Sequence, residues 1–207
     1  MKYKTYLLPF IIIITVLLAD QILKFWIKTH MTIGESIPIF GNWFLLHFTE
    51  NNGMAFGMEF FGSSGKLFLS IFRVAAVVFI GFYMRHLIRK KTSSMIIVCF
   101  SLIIAGAIGN ILDSAFYGRI FSESTYANVA ELFPDGGGYA PLLYGKVVDM
   151  LYFPVIDMAQ ETAPSWLPDF LFGGDGRFIF FRPIFNIADA AITIGVALFI
   201  VFCRKMK

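Results

Sequence analysis

Four runs of apolar residues, 7–27, 67–84, 95–116 and 184–202, each approach the roughly 20 residues that a helix needs to cross a bilayer. In hydrocarbon a helix satisfies its own backbone groups, so runs of this length confine the chain to a bundle of spanning helices, with the intervening segments left outside. Composition agrees: 57% of the 207 residues are hydrophobic and 15% are charged, more apolar surface than a soluble core of this size hides. The first run follows Lys2 and Lys4 as a secretory signal would. No small-x-small cleavage site comes after it, and Asp20 and Lys24 lie near its far end, so it is expected to be retained.

Basic residues set the expected orientation. They gather before the first run (Lys2, Lys4), between the second and third (Arg85, Arg89, Lys90, Lys91) and after the fourth (Arg204, Lys205, Lys207), and none of the 14 acidic residues falls in those places. Cytoplasmic loops carry such an excess, so both termini are expected in the cytoplasm, with segments 28–66 and 117–183 on the outer side of the membrane. The net charge of +3 thus reports topology and gives no reason to invoke nucleic acid. Residues 1–207 read as a single membrane domain.

Segment 28–66 carries Ile37-Pro38-Ile39-Phe40 and then the β-favouring stretch from Trp43 to Phe48, which predicts a small strand-rich flap. Segment 117–183 is long, rich in Gly and Pro, and predicts an irregular outer cap. Within it, Gly173-Gly174-Asp175-Gly176 is a turn signal. The sequence has no GxSxG elbow, HExxH helix or phosphate-binding glycine loop. His30, His47 and His86 are scattered, and Cys99 and Cys203 each sit in an apolar run as small buried hydrophobes. A metal site is therefore not expected.

The spans themselves are not free of polar groups. Asp20 and Arg73 lie roughly 10 Å inside the outer ends of the first two runs, Asn110 and Asp113 end the third, and Asn186 and Asp189 begin the fourth. Because successive spans alternate in direction, these residues share one layer near the outer face. A charge in a spanning helix costs on the order of 3 kcal/mol on the most lenient scale, so the coincidence of depth calls for a purpose. Asn110-x-x-Asp113 and Asn186-x-x-Asp189 each place an amide and a carboxylate on one helical face, and Asp20 and Lys24, at i and i+4, favour an internal ion pair. Interhelical hydrogen bonding alone would account for the amides. Arg73 suits three tasks: reaching the surface, holding a lipid phosphate, or neutralising a carboxylate. Asp149 stands isolated between Val147-Val148 and Met150-Leu151. If it meets Asp189, the two share one proton, and the pair can activate water against a peptide carbonyl.

These residues resemble signal peptidase II, the bacterial lipoprotein signal peptidase family of membrane aspartic endopeptidases. Asp20-Gln21-Ile22-Leu23-Lys24, Glu50-Asn51-Asn52-Gly53-Met54-Ala55-Phe56 and Gly106-Ala107-Ile108-Gly109-Asn110-Ile111-Leu112-Asp113 match its first three motifs. Val147-Val148-Asp149 and Phe185-Asn186-Ile187-Ala188-Asp189 match the last two. The resemblance implies an all-α membrane fold of four transmembrane helices with a small extracytoplasmic β-cradle and an outer loop cap. It implies Asp149 and Asp189 as catalytic residues. Asn51, Gly53, Asn110, Asp113, Asn186, Ala188, Asp20 and Lys24 are implied as substrate-binding or site-supporting. The implied partner is a diacylglyceryl-modified prolipoprotein met in membrane lipid and cut on the amino side of its lipidated cysteine. No metal, cofactor or obligate protein partner is implied.

Three departures stand out. Ser114 occupies the place of a family arginine, for which Arg119 and Arg182 are candidate substitutes; residues 114–148 form a long insertion before Asp149; and Met150 replaces a phenylalanine. Two other functions fit parts of the pattern. A small proton-coupled transporter would use the intramembrane carboxylates, and a catalytically lapsed lipoprotein-binding scaffold would keep the fold without the reaction.

Overall fold

A computed structural model describes residues 4–52 and 62–203 of the chain. Helix α1 (Lys4–His30) leads into a hairpin of β1 (Ser36–Phe40) and β2 (Phe44–Asn51), and α2 (Gly62–Arg89) and α3 (Ser94–Leu112) follow. Helix α3 runs on as a π-helical turn, Asp113–Tyr117, and one further turn, α4 (Gly118–Ile120). Strand β3 (Val147–Tyr152), the hairpin β4 (Ile156–Ala159) and β5 (Arg177–Phe180), the short β6 (Ile184–Phe185) and α5 (Ile187–Cys203) complete the order. Segments 6–30, 65–89 and 94–120 are long and apolar enough to cross a membrane; α5 is apolar and shorter, at 17 residues. The expected four-helix bundle with a small cradle is therefore present.

The fourth span begins later than its apolar run. Ile184 and Phe185 pair with Tyr152 and Leu151 of β3, so the helix opens at Ile187. Asn186 explains the boundary: its Oδ1 accepts the Asp189 N–H at 2.8 Å, and the Asp189 carboxylate faces the Asn186 N–H at 3.5 Å, the reciprocal geometry of a capping box.

Helices α3 and α5 approach until backbone meets backbone. A Cβ on Gly106 would stand 2.1 Å from the Ala188 carbonyl oxygen, and one on Gly109 would stand 2.8 Å from Asp20 Oδ2. Small residues let spanning helices pack in this way. Gly106→Ala is expected to destabilise the protein by roughly 1–3 kcal/mol through overpacking. Thermal unfolding in detergent reads the change, with Gly81→Ala, which meets nothing within 4 Å, as the neutral control.

Outside the bundle the sheet order is β1-β2-β3-β6, all antiparallel. Residues 121–146 run without helix or extended strand, joined by the isolated Phe121–Leu132 bridge, as the expected irregular cap. Tyr117, Phe121 and Ala130 join Ile27, Met31, Phe48, Val148 and Met150 in a buried core that lies between the outer end of α1 and the sheet. Met150, where the family carries phenylalanine, is fully buried there. Alternate residues of a strand face opposite ways, so with Val148 and Met150 in this core Asp149 turns to the other face, toward α5. Rings of Phe44, Phe153 and Phe185 stack along that outer rim at 4.5 and 5.8 Å, as suits an aromatic belt. The Gly173–Gly176 turn forms as expected, closed by the Gly176 N–H on the Gly173 carbonyl at 2.9 Å with Gly176 at φ +67°.

Candidate active site

The cap of α5 is the centre from which the polar layer is built. Besides capping its own helix, Asn186 directs its Nδ2 to Asp149 Oδ1 at 2.7 Å, to the Val148 carbonyl at 3.2 Å and to Asn110 Oδ1 at 3.1 Å. The second oxygen of Asp149 receives Asn51 Nδ2 at 2.5 Å. Asp189 Oδ1 receives Asn110 Nδ2 at 2.8 Å. One fully buried amide, Asn186, thus holds both aspartates, one by its side chain and one by the cap. The spacing of Asn186 and Asp189 makes a cap as well as a shared helical face.

Behind this pair lies a buried ionic cluster. Lys24 Nζ bonds Asp20 at 2.9 Å, Asp113 at 2.7 Å and Asn110 Oδ1 at 3.0 Å, and none of the three charged residues is more than 1% exposed. The expected Asp20–Lys24 pair is present, with Asp113 as a second anion. Each anion also holds backbone: Asp20 Oδ1 accepts the Ala188 N–H of the first turn of α5 at 2.9 Å, and Asp113 Oδ2 accepts the Val148 N–H at 3.3 Å. These bonds tie the neighbours of Asp189 and Asp149 to α1 and α3. Ala188 itself is fully buried against α3, where no larger side chain fits over Gly106 and Gly109.

Gln21 was not among the residues expected in the site. Its Nε2 reaches Asp113 Oδ1 at 2.9 Å and Asp20 Oδ2 at 3.1 Å, and its Oε1 accepts from Tyr117 at 3.2 Å. Its place beside Asp20 was the available signal. Gly53 lies outside the described residues, as do the side chain of Cys203 and Lys2, Arg204, Lys205 and Lys207; Cys99 is buried.

Electrostatically the two aspartates differ. Asp149 is 2% exposed, whereas Asp189 is half-buried. Burial, and next the Asp189 charge, push the Asp149 carboxyl up to about 7, against the lowering effect of Lys24, Asn186 and Asn51. Asp189 sits where the positive end of the α5 dipole meets it. Half-buried Arg73 of α2 feels the charges of Asp189, Asp113 and Asp149, which favours the neutralising role among the three expected of it. Among the described residues no group of three or more His, Cys, Asp or Glu is placed to hold a metal ion.

A family model described as signal peptidase (SPase) II matches residues 12–204. The chain belongs to the signal peptidase II family. It is 48% identical over 191 residues to a lipoprotein signal peptidase of Porphyromonas gingivalis, covering 92% of this chain and 80% of the relative. Identity to a lipoprotein signal peptidase of Amoebophilus asiaticus is 38% over 184 residues, covering 87% and 71%. A bacterial membrane enzyme solved by the in meso method at 2.3 Å shares the fold, with a TM-score of 0.61 at 24% identity over 95% of this chain and 87% of that one. The apolar helices and this likeness make the chain a multi-pass membrane protein, and the family makes it a protease.

Ser114, where the signal peptidase II family usually carries arginine, is buried and donates to the Asn110 carbonyl at 3.0 Å. Gly145 closes over it, its N–H on the Ser114 carbonyl at 2.8 Å, and a Cβ there would stand 2.2 Å from the Asp113 carbonyl. Neither proposed substitute takes its place: Arg119 is exposed, and Arg182 bonds Asp175 at 3.0 Å on the outer hairpin.

Proposed function

We propose that this member of the signal peptidase II family is an aspartic endopeptidase that releases the signal peptide of diacylglyceryl-modified prolipoproteins on the amino side of the lipidated cysteine. The observation that carries the reading is Asn186 bridging Asp149 and Asp189. The reaction takes place at the outer face of the bacterial inner membrane, with both chain termini in the cytoplasm. There a substrate held by its lipid and its helical signal presents the scissile bond to the dyad.

Asp149 enters the reaction protonated and Asp189 ionised. Water attacks the carbonyl carbon, giving one proton to Asp189, while Asp149 gives its proton to the carbonyl oxygen. On collapse the C–N bond breaks, the leaving nitrogen takes the proton from Asp189, and a hydroxyl proton returns to Asp149. Asn51, Asn110 and Asn186 hold the carboxyl oxygens throughout, so little reorganisation accompanies the proton transfers. The chemistry calls for no metal or organic cofactor, and chelator should leave the rate unchanged.

Purified protein in lipid is given a diacylglyceryl-modified precursor, with the unmodified precursor as control, and the released peptide is weighed by mass spectrometry. Cleavage of the modified form alone, ending just before the cysteine, is the expected result. Binding without release would instead favour the scaffold. The pH profile supplies a second test. Because Asp149 must donate a proton, kcat/KM should fall as pH rises through about 7, tenfold per unit beyond it. A rate that stays flat well above that value would remove Asp149 from the donor role.

A further inference from the structure

The insertion 114–148 closes around a second buried charge cluster that the reaction does not use. Lys28, at the outer end of α1, is fully buried; its Nζ meets Glu50 Oε1 and bonds Ser124 Oγ at 2.9 Å. It also lies 5.2 Å from the Phe121 ring centroid and 5.1 Å from that of Tyr139, two rings the insertion supplies. Among the described residues Glu50 Oε2 is buried with no hydrogen-bond partner, and Lys146 Nζ stands 3.6 Å from it. The Lys146 N–H in turn donates to the Tyr139 hydroxyl at 2.7 Å.

The positions of these groups along the strands matter most. Glu50 immediately precedes Asn51, whose amide holds Asp149 Oδ2, and Lys146 immediately precedes β3, which carries Asp149. Asn51 pairs with Val147 and Glu50 with Val148 in the sheet register. The cage therefore grips both strands next to the residues that must meet. A carboxylate left buried at this cost, with one oxygen lacking a hydrogen bond, is a poor stabilising device. A fixed register between Asn51 and Asp149 is what it supplies.

Resting on the dyad reading above, we propose that the insertion is a clamp, in which Lys28 and Glu50 act as positioning residues that hold Asn51 on Asp149. They touch neither the substrate nor the reacting atoms. The charged groups around Asp149 are Asp189 from α5, Lys24 from α1, Arg73 from α2 and Asp113 of the π-helical turn, and the substitutions below change none of them. What it controls is the Asn51 hydrogen bond, which lowers the Asp149 pKa. Loosening the clamp should accordingly raise that pKa and move the alkaline limb of the pH profile upward.

The test measures kcat, KM and the pH limb on lipid-modified precursor for the parent, Glu50→Gln, Asn51→Ala, their double variant, and Asp149→Asn as reference. Misplacing a group by about 1 Å costs on the order of 100-fold in rate. Glu50→Gln should therefore lower kcat by roughly 10- to 100-fold with KM within about twofold, and should shift the limb in the same direction as Asn51→Ala. Added to Asn51→Ala, it should cost less than about threefold more, because it acts through that residue. Full additivity, or a rise in KM at unchanged kcat, would overturn the clamp in favour of an insertion that contacts substrate. If Glu50→Gln fails to fold, Lys28→Met/Glu50→Leu, which keeps the volume without the charges, is read by the same criteria. An active Asp149→Asn would sink the dyad instead, and an inactive Asp149→Asn beside a fully active Glu50→Gln would sink the clamp alone.

Discussion

Asp149→Asn and Asp189→Asn should each lower the rate of signal-peptide release on the order of a thousandfold or more, because either amide removes one of the two proton transfers the reaction needs. Asparagine preserves shape, and the surroundings tolerate it. At position 149 its single oxygen can still accept from Asn186 while its NH2 donates to an Asn51 amide that has flipped, and at 189 its carbonyl can still face the cap of α5 at the loss of the Asn110 bond. The unfolding midpoint of both variants should stay close to the parent's, so the loss reports chemistry. The double variant should be no slower than the worse single one, since the two act as a unit. Undiminished cleavage by either single variant would break the assignment, whatever the other did.

Lys24→Met is expected to produce the largest loss of stability. The ammonium is the shared cation of Asp20 and Asp113, both within 3 Å and all three groups without contact with water. Removing one partner of a buried pair costs roughly 3–5 kcal/mol, because the remaining charge is left uncompensated. Two carboxylates are stranded here. Neutralising them as well, in Lys24→Met/Asp20→Asn/Asp113→Asn, should recover a substantial part of the loss, and thermal unfolding in detergent would show it. Activity should fall with stability in the single variant, since Asp113 positions the Val148 N–H and Asp20 the first turn of α5. A Lys24→Met protein that melts with the parent would mean that the carboxylates take up protons without penalty, and the cluster would then have no structural role.

The spans were legible because a bilayer imposes length and polarity on a contiguous run, and three of the four came out close to their apolar boundaries. The Asp20–Lys24 pair was legible for the same reason of locality: residues four apart on a helix meet whatever the rest of the chain does. Asp149 stood out only as an isolated carboxylate between Val148 and Met150, and its pairing with Asp189 came from the resemblance, since no periodic pattern links the two. The start of α5 was missed because Ile184 and Phe185 are as apolar as a span, and only pairing with β3 makes them a strand. Gln21 and the Lys28–Glu50 cluster were invisible for a different reason. Their partners lie 92 and 22 residues away, and no local pattern marks such a meeting. The packing of the insertion was not legible because Tyr117, Phe121 and Ala130 bury against strands that sequence alone does not bring near.

The capping box of α5 has a consequence for how the enzyme comes into being. Asp189 and the amide that holds Asp149 both arrive with the final helix, whereas Asn51, Asp113 and Asp149 precede it along the chain. During synthesis the earlier spans can enter the membrane and the cradle can form, yet until α5 docks against Gly106 and Gly109 no second carboxylate stands beside the first. On the dyad reading, a nascent chain stays inactive until its last helix docks, silenced by the order of its own assembly.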